Sequence, residues 1–297
     1  MLASSLVSCL FTAPPRYGFT TLAWLTYHTG SSVIVPQKER LYHGTGLRHV
    51  LAILDHGLSG TPLTDVWHGT DWAIERLESK HEEMRRAHPG DLHGMSEEGR
   101  DEYGDWLWRD FGEEAGSPYP GMVYLGRSSD HALCRPRKGE ASYTLMVEPT
   151  APLIPDEDWL GSFVLAAARE GPYGGKGSHT WSMDQSTWAA EDPWDYAPVA
   201  PMIMEVVSMM GEAFVDKCKR VLAITGADDW RGGAPVAKDV IRELSRTERG
   251  RKLLLNLAAF SPTVAHPGAP KVVGALKNEE PISLEALRID AEARYGP

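Results

Sequence analysis

The sequence predicts an α+β fold. β-Rich runs at 40–43, 121–126, 142–148 and 271–276 are set among long helical stretches, with the middle two separated only by "SSDHALCRPRKGE". Strand and helix do not alternate in the regular way that a parallel βαβ sheet requires. At 297 residues and 42% hydrophobic composition, with ten Trp, the chain is long and apolar enough to bury a real core.

Residues 1–37 read as a poorly ordered N-terminal arm and 38–297 as a single domain with insertions at about 61–120 and 201–260. The first 38 positions hold one Arg, one Lys and no acid. "LASSLVSCLFTAPP" resembles a signal h-region, but its first basic residue, Arg16, follows rather than precedes it. No run reaches the roughly 18 apolar residues of a membrane span.

From residue 40 the chain reads strand then helix. "LYHGT" is a short apolar run. After it Leu47, Val50, Leu51, Leu54 and Leu58 recur at i, i+3, i+4, i+7 and i+11, one buried helix face. Thr45 is the expected N-cap and Gly57 the expected C′ glycine. "DWAIERLESKHEEMRRAH" and "EGRDEYGDWLWRDFGEE" read as helices, with Trp67, Trp72, Trp106 and Trp108 as insertion core. "PDEDWLGSFVLAAARE" reads as a helix with acids at its start, where the helix dipole favours them. Helical patterns return at 201–223 and 235–260, and the stretch from "KVVGAL" to "PISLEALRI" reads as β.

The net charge of −11 argues against a broad nucleic-acid footprint, which needs clustered Lys and Arg. Cys9, Cys134 and Cys218 are too few and too scattered for a disulfide framework or a zinc site, so a reducing, cytoplasmic setting is expected. Several motifs fail on inspection. "GTGLRH" has His49 where a dinucleotide fingerprint needs its third glycine. In "GPYGGKGS" the residue after Lys176 is Gly177, not Ser or Thr. His81 and His88 stand seven apart, not the four that aim two ligands at one metal.

His43-Gly44 is different. It lies at a strand-to-helix corner, where glycine lets a planar ligand approach the main chain and a histidine can bond a hydroxyl. Farther on, "GMVYLGRSSDHAL" supplies Tyr124 on a strand and then Ser129-Asp130-His131-Ala132 opening a helix, before the β-run "SYTLMVEP". With "LYHGT…ILDHGL", this ordered pair resembles the ADP-ribosyltransferase superfamily of His-Tyr-Glu type, which includes the poly(ADP-ribose) polymerases and the tRNA 2′-phosphotransferases.

The resemblance implies an ADP-ribosyltransferase-like split β-sandwich with helical insertions, and NAD⁺ as a substrate. It implies a site of His43, Gly44, Thr45, Tyr124, Ser129 and His131. Gly44's backbone would bond the nicotinamide amide, His43 the adenosine ribose hydroxyl, and Tyr124 would stack on the nicotinamide ring. The N-glycosidic bond would break through an oxocarbenium-like state, with a carboxylate near the start of a late strand. Glu280 is the preferred carboxylate and Glu279 the alternative, with the further alternative that the true position falls near Lys271 and holds no acid. His131 stands where the polymerases carry a serine, and Cys134 replaces a second stacking tyrosine. His43 and Tyr124 lie 81 residues apart, longer than is usual in the polymerases.

The expected function is mono-ADP-ribosylation of a macromolecule, protein rather than nucleic acid, with nicotinamide release, in a toxin or phage-type effector that an antitoxin could accompany. Two alternatives stand beside it. One is an RNA 2′-phosphotransferase, which shares "LYHGT" but carries an N-terminal winged-helix domain that 40 residues of unlike arm leave no room for. The other is an inactive NAD⁺-binding or interaction protein. No metal site is expected.

Overall fold

Leu41–Thr45 forms β1, the middle strand of a seven-stranded antiparallel sheet in the order β4-β5-β2-β1-β3-β6-β7. The other strands are β2 (Met122–Gly126), β3 (Tyr143–Glu148), β4 (Ile154–Pro155), β5 (Thr263–Pro267), β6 (Lys271–Lys277) and β7 (Glu280–Ile282). The computed structural model describes residues 40–58, 68–90, 94–115, 122–129, 143–170, 199–225 and 232–296. Residues 1–37, His131, Cys134, Trp67 and the glycine-rich stretch 171–178 lie outside them.

Contacts divide the described residues into two units. The first holds 40–58, 122–129, 143–156 and 252–296; the second holds 68–90, 94–115, 157–170, 199–225 and 232–251.

In the first unit, α1 (Leu47–His56) and α10 (Leu284–Tyr295) cover one face of the sheet. Val50, Leu287 and Ala291 from these helices bury against Leu41, Leu125, Leu145, Val264 and Ala275 from the strands. Each large side chain fully buried here is worth about 1.5–3 kcal/mol against exposure. Asp55 and Arg288 tie the two helices at 2.8 Å.

α1 ends at Gly57, φ 83°, whose N–H reaches the Ile53 carbonyl at 2.8 Å, as its sequence predicts. Its N-cap is Gly46, not Thr45. Thr45 remains the last residue of β1, buried and paired with Tyr143, so its side chain is committed to the sheet.

The four expected strands all lie in this one sheet, but "PISLEALRI" corrects the β reading. Only Glu280–Ile282 is strand; Ser283 then caps α10, its hydroxyl accepting from Ala286 N at 3.0 Å. β4 and β5 carry no expectation from the sequence. β5 follows Pro262 and ends on Pro267, in a stretch too short to show a period.

The second unit is helical. Its elements are α2 (Thr70–Ala87), α3 (Glu97–Trp106), a π-helical turn (Leu107–Phe111), α4 (Gly112–Ala115), α5 (Glu157–Glu170), α6 (Ala200–Met210), α7 (Glu212–Thr225) and α8 (Gly233–Leu244). α9 (Glu248–Phe260) begins in the second unit and ends in the first.

α8 is the buried centre, with Val236, Val240, Ile241 and Leu244 enclosed. It crosses α5 where Gly161 meets Gly233 so closely that a methyl group on Gly161 would strike the Gly233 backbone. Lys238 is also buried, and its Nζ donates to the Ala115 carbonyl at 2.8 Å. Burial lowers its pKa, while the carboxylates of Glu157 and Asp158 oppose that shift. Asp239 caps α2, accepting from Thr70 N at 2.8 Å.

Trp72 stacks on His68 at 4.0 Å and on Phe111 at 5.6 Å, and Trp106 is buried beside Phe111. Trp108 departs from the expected insertion core: it is 59% exposed.

Candidate functional site

β1 pairs with β3 along its whole length, from Leu41↔Val147 to Thr45↔Tyr143. On its other side it meets β2 at one register position, Tyr42↔Gly126. β2 instead pairs over five positions with β5, from Met122↔Pro267 to Gly126↔Thr263. The two strands that carry the motif residues therefore part just beyond Tyr42.

His43 lies at that parting. Its Nδ1 is 3.0 Å from the main-chain carbonyl of Tyr124. A carbonyl can only accept, so the proton is on Nδ1 and, in the neutral ring, Nε2 carries the lone pair. Burial lowers the His43 pKa, opposed by this hydrogen bond, so the ring is neutral at pH 7.

Strand alternation places the other groups. His43 is in register with Leu145 and Ala275, on the face that α1 and α10 cover. Tyr124 shares parity with Gly126, the partner of Tyr42, so its ring lies on the opposite face, with Tyr42 and Gly44. The structure thus joins His43 to the backbone of Tyr124 while the Tyr124 ring shares its face with Gly44. Thr45 is buried, with a long 3.5 Å contact from its hydroxyl to the Gly46 carbonyl. Ser129 is half-buried in the turn that follows β2.

Glu280 is not brought beside these residues. Asn278 and Glu279, at φ 50° and 71°, form the two-residue turn between β6 and β7, and Glu280 is the exposed first residue of the edge strand. Thr45, Tyr143, Lys277 and Glu280 make one row across the sheet. Three strand spacings of about 4.8 Å put Glu280 roughly 14 Å from β1. Between them Lys277 binds Asp290 at 2.5 Å, and Tyr143 OH donates to the same carboxylate at 3.2 Å. Glu279 belongs to the turn rather than to a strand face. The sequence holds no acid between Glu248 and Glu279, so neither β5 nor β6 contributes one.

Two residues that hold the chain around β2 and β5 carry no signal in the sequence pattern. Arg127, at the end of β2, donates Nε to the Ser261 carbonyl at 2.8 Å and a terminal nitrogen to the Ala258 carbonyl at 2.5 Å. It satisfies carbonyls at the C-terminal end of α9 and fixes β2 against the start of β5. Only a late strand beside β2 could have suggested it, and that strand was not legible. His266, buried on β5 opposite Val123, accepts main-chain N–H groups from Thr150 and Ala151 at 2.9 and 3.2 Å.

Among the described residues, no group of three or more His, Cys, Asp or Glu side chains is placed to hold a metal ion. Cys218 is buried, and burial pushes its thiol up to about 12, which makes it inert as a nucleophile. No helix among them is long and apolar enough to cross a membrane. No family model, curated protein or solved structure matches the chain.

Proposed function

We propose that the chain binds NAD⁺ where β1 and β2 part, and that it transfers ADP-ribose to a macromolecular acceptor with release of nicotinamide. One observation carries this reading: the His43–Tyr124 hydrogen bond, which joins two sequence motifs 81 residues apart at the place where two sheet strands separate. In this reading Gly44's backbone and the Tyr124 ring, on one face, hold the nicotinamide. His43 Nε2 accepts from a ribose hydroxyl, and Thr45 and Ser129 flank the pocket. His131 would complete it from outside the described residues. The parting of β1 from β2 supplies the opening that a split ADP-ribosyltransferase-like sheet would use.

The acceptor is taken to be protein rather than nucleic acid because the chain carries a net charge of −11. A cytoplasmic effector, with or without an antitoxin, suits that chemistry.

Glu280 favours a second reading, NAD⁺ binding without transfer. An oxocarbenium-like ribose needs negative charge close by, and Glu280 stands three strands from β1. One experiment separates the two. The purified chain is incubated with a cell lysate and NAD⁺ labelled in the adenine half, and binding, nicotinamide release and acceptor labelling are measured together. Label on protein with nicotinamide release supports transfer. Saturable binding without release supports the second reading. Absence of binding overturns both.

A further inference from the structure

His266 is fully buried on β5, outside the site described above. Its Nε2 lies 2.9 Å from Thr150 N and 3.2 Å from Ala151 N, and the Thr150 hydroxyl is at 3.3 Å. Both main-chain N–H groups can only donate, so Nε2 holds a lone pair and the ring proton is on Nδ1. That Nδ1 is buried with no hydrogen-bond partner. Nε2 has no room for a second proton, which would point into two N–H hydrogens. The backbone of Gly268 and of His266 itself favours the charged ring, but less than burial opposes it.

Leu153 of the segment that His266 holds is buried in the core, but its other polar ties to β5 are few. β4 contributes two register pairs, Ile154↔Ala265 and Pro155↔Val264. Beyond these, Thr150 Oγ1 donates to the Ala269 carbonyl at 3.3 Å and Asp156 N to the Thr263 carbonyl at 3.3 Å. We propose that His266 is a pH-responsive latch: protonation of its Nε2 releases the 149–153 segment, and β4 with it, from β5.

Ionisable groups on neighbouring elements include Glu148 ending β3, Asp156 after β4, Arg127 after β2, Lys271 and Lys277 at the two ends of β6, and Asp55 and His56 at the end of α1. Glu148 and Lys271 pair with each other at 4.0 Å, Asp55 pairs with Arg288, and Arg127 is bound to backbone carbonyls. The His266 pKa is lowered by burial, against a smaller opposing effect of backbone hydrogen bonding, with no charged neighbour among the causes. Release would leave the outer edge of β5 without its partner strand, a surface open to strand pairing.

Amide hydrogen exchange at Thr150 and Ala151 in the full chain tests the latch between pH 7.5 and 5. Protection, corrected for the intrinsic exchange rate, should fall by up to about tenfold per pH unit below the ordinary histidine value, because one proton is taken up on opening. Amides of β6 open only with the whole unit, so their protection should stay above that of Thr150 and Ala151 across the range. His266→Gln presents an acceptor oxygen that does not titrate, so it should hold the segment and abolish the pH dependence. Flat protection at Thr150 and Ala151 in the parent would overturn the proposal, as would protection there equal to that of β6, or an undiminished fall in His266→Gln. Should the variant not fold, the contrast within the parent between residues 150–151 and β6 decides alone.

Discussion

The imidazole of His43 donates from Nδ1 to the main-chain carbonyl of Tyr124 at 3.0 Å. The bond stands in for ladder hydrogen bonds that β1 and β2 do not make beyond Tyr42↔Gly126. It therefore has a structural role, closing the gap between two strands, and a chemical one, fixing the tautomer that leaves Nε2 as an acceptor. His43→Ala should show both. Loss of the donor removes this bond and should cost about 0.5–1.5 kcal/mol in urea unfolding. In the proposed pocket it should also weaken NAD⁺ binding about tenfold, a difference of about 1.4 kcal/mol. A variant that loses stability but binds NAD⁺ like the parent would confine His43 to the structural role.

Tyr124 gives a complementary expectation, because its backbone and its ring do different things. Only the ring would stack on nicotinamide, so Tyr124→Phe should bind NAD⁺ within about twofold of the parent. Tyr124→Ala should lose about 0.5–1.5 kcal/mol of binding, the usual worth of an aromatic pair beyond its area. The backbone bond to His43 survives both changes, so thermal midpoints should move little with Phe. Calorimetric titration with NAD⁺ reads the difference, and equal affinities for Phe and Ala would remove the ring from the site.

Among the described residues, three histidines make stability depend on pH between 5 and 7. His43, His266 and His68 all have pKa values lowered from 6.5, with burial the largest cause in each. Above that value they are neutral in both folded and unfolded chains, and their contribution to stability is complete. As pH falls through it, the unfolded chain takes up protons first, so stability declines until the lower folded-state values are passed. The urea midpoint should therefore drop steadily from about pH 6.5 toward pH 5. Substituting His43 and His266 together by Gln should flatten much of the slope. A midpoint that holds or rises over this interval would contradict the direction of the shifts.

The sequence shows the helices of both units well and the sheet unevenly, and the reasons are local. Leu47, Val50, Leu51 and Leu54 repeat at helical spacing because α1 presents one face to the core, and that spacing survives in any reading of the chain. β1, β2, β3 and β6 are apolar runs long enough to recognise. β5 has five residues with a histidine at the core, following one proline and ending on another, so neither length nor composition marks it. α10 is hidden by apolar residues at 282, 284, 287 and 289 that blur strand and helix periods; Ser283 with Glu285 in the first turn was its sequence signal. The motif residues His43 and Tyr124 were legible by type and order. The contact between them was not, because the register of β1 on β2 depends on β5, which takes β2's other edge.

Lys238 tests the helical unit. A buried ammonium with Glu157 and Asp158 nearby and the Ala115 carbonyl as acceptor is stable only while those partners remain. Lys238→Ala should destabilise the protein by about 3–5 kcal/mol, since it leaves a buried carboxylate uncompensated. Lys238→Met combined with Glu157→Gln should recover most of that loss, because both charges go and the volume stays. Denaturation of the three proteins side by side decides it. A double variant as unstable as Lys238→Ala would show that packing, rather than charge, dominates at this position.

Glu280 is where chain order and geometry pull apart. Chain order makes it the acid of a late strand; the sheet makes it the exposed start of an edge strand, roughly 14 Å from β1 by strand spacing. Removal of one preorganised catalytic group typically costs about 10²–10³ in rate, whereas an exposed carboxylate remote from the reacting atoms costs almost nothing. Glu280→Gln and Glu279→Gln should therefore each leave nicotinamide release within about twofold of the parent. NAD⁺ affinity should be unchanged as well. Glu279 carries one further constraint, its φ of 71°, which Gln tolerates no better or worse than Glu, so neither variant should unfold. Initial rates of nicotinamide release, measured for both variants beside the parent, give the answer. A hundredfold loss in Glu280→Gln alone, with binding intact, would mean that the β6–β7 hairpin reaches the ribose when substrate is bound, and would return Glu280 to the reacting centre. Unchanged rates in both, with active parent protein, would require the developing charge to be met by something other than these carboxylates, and the lone pair on His43 Nε2 would be the nearest acceptor to test next.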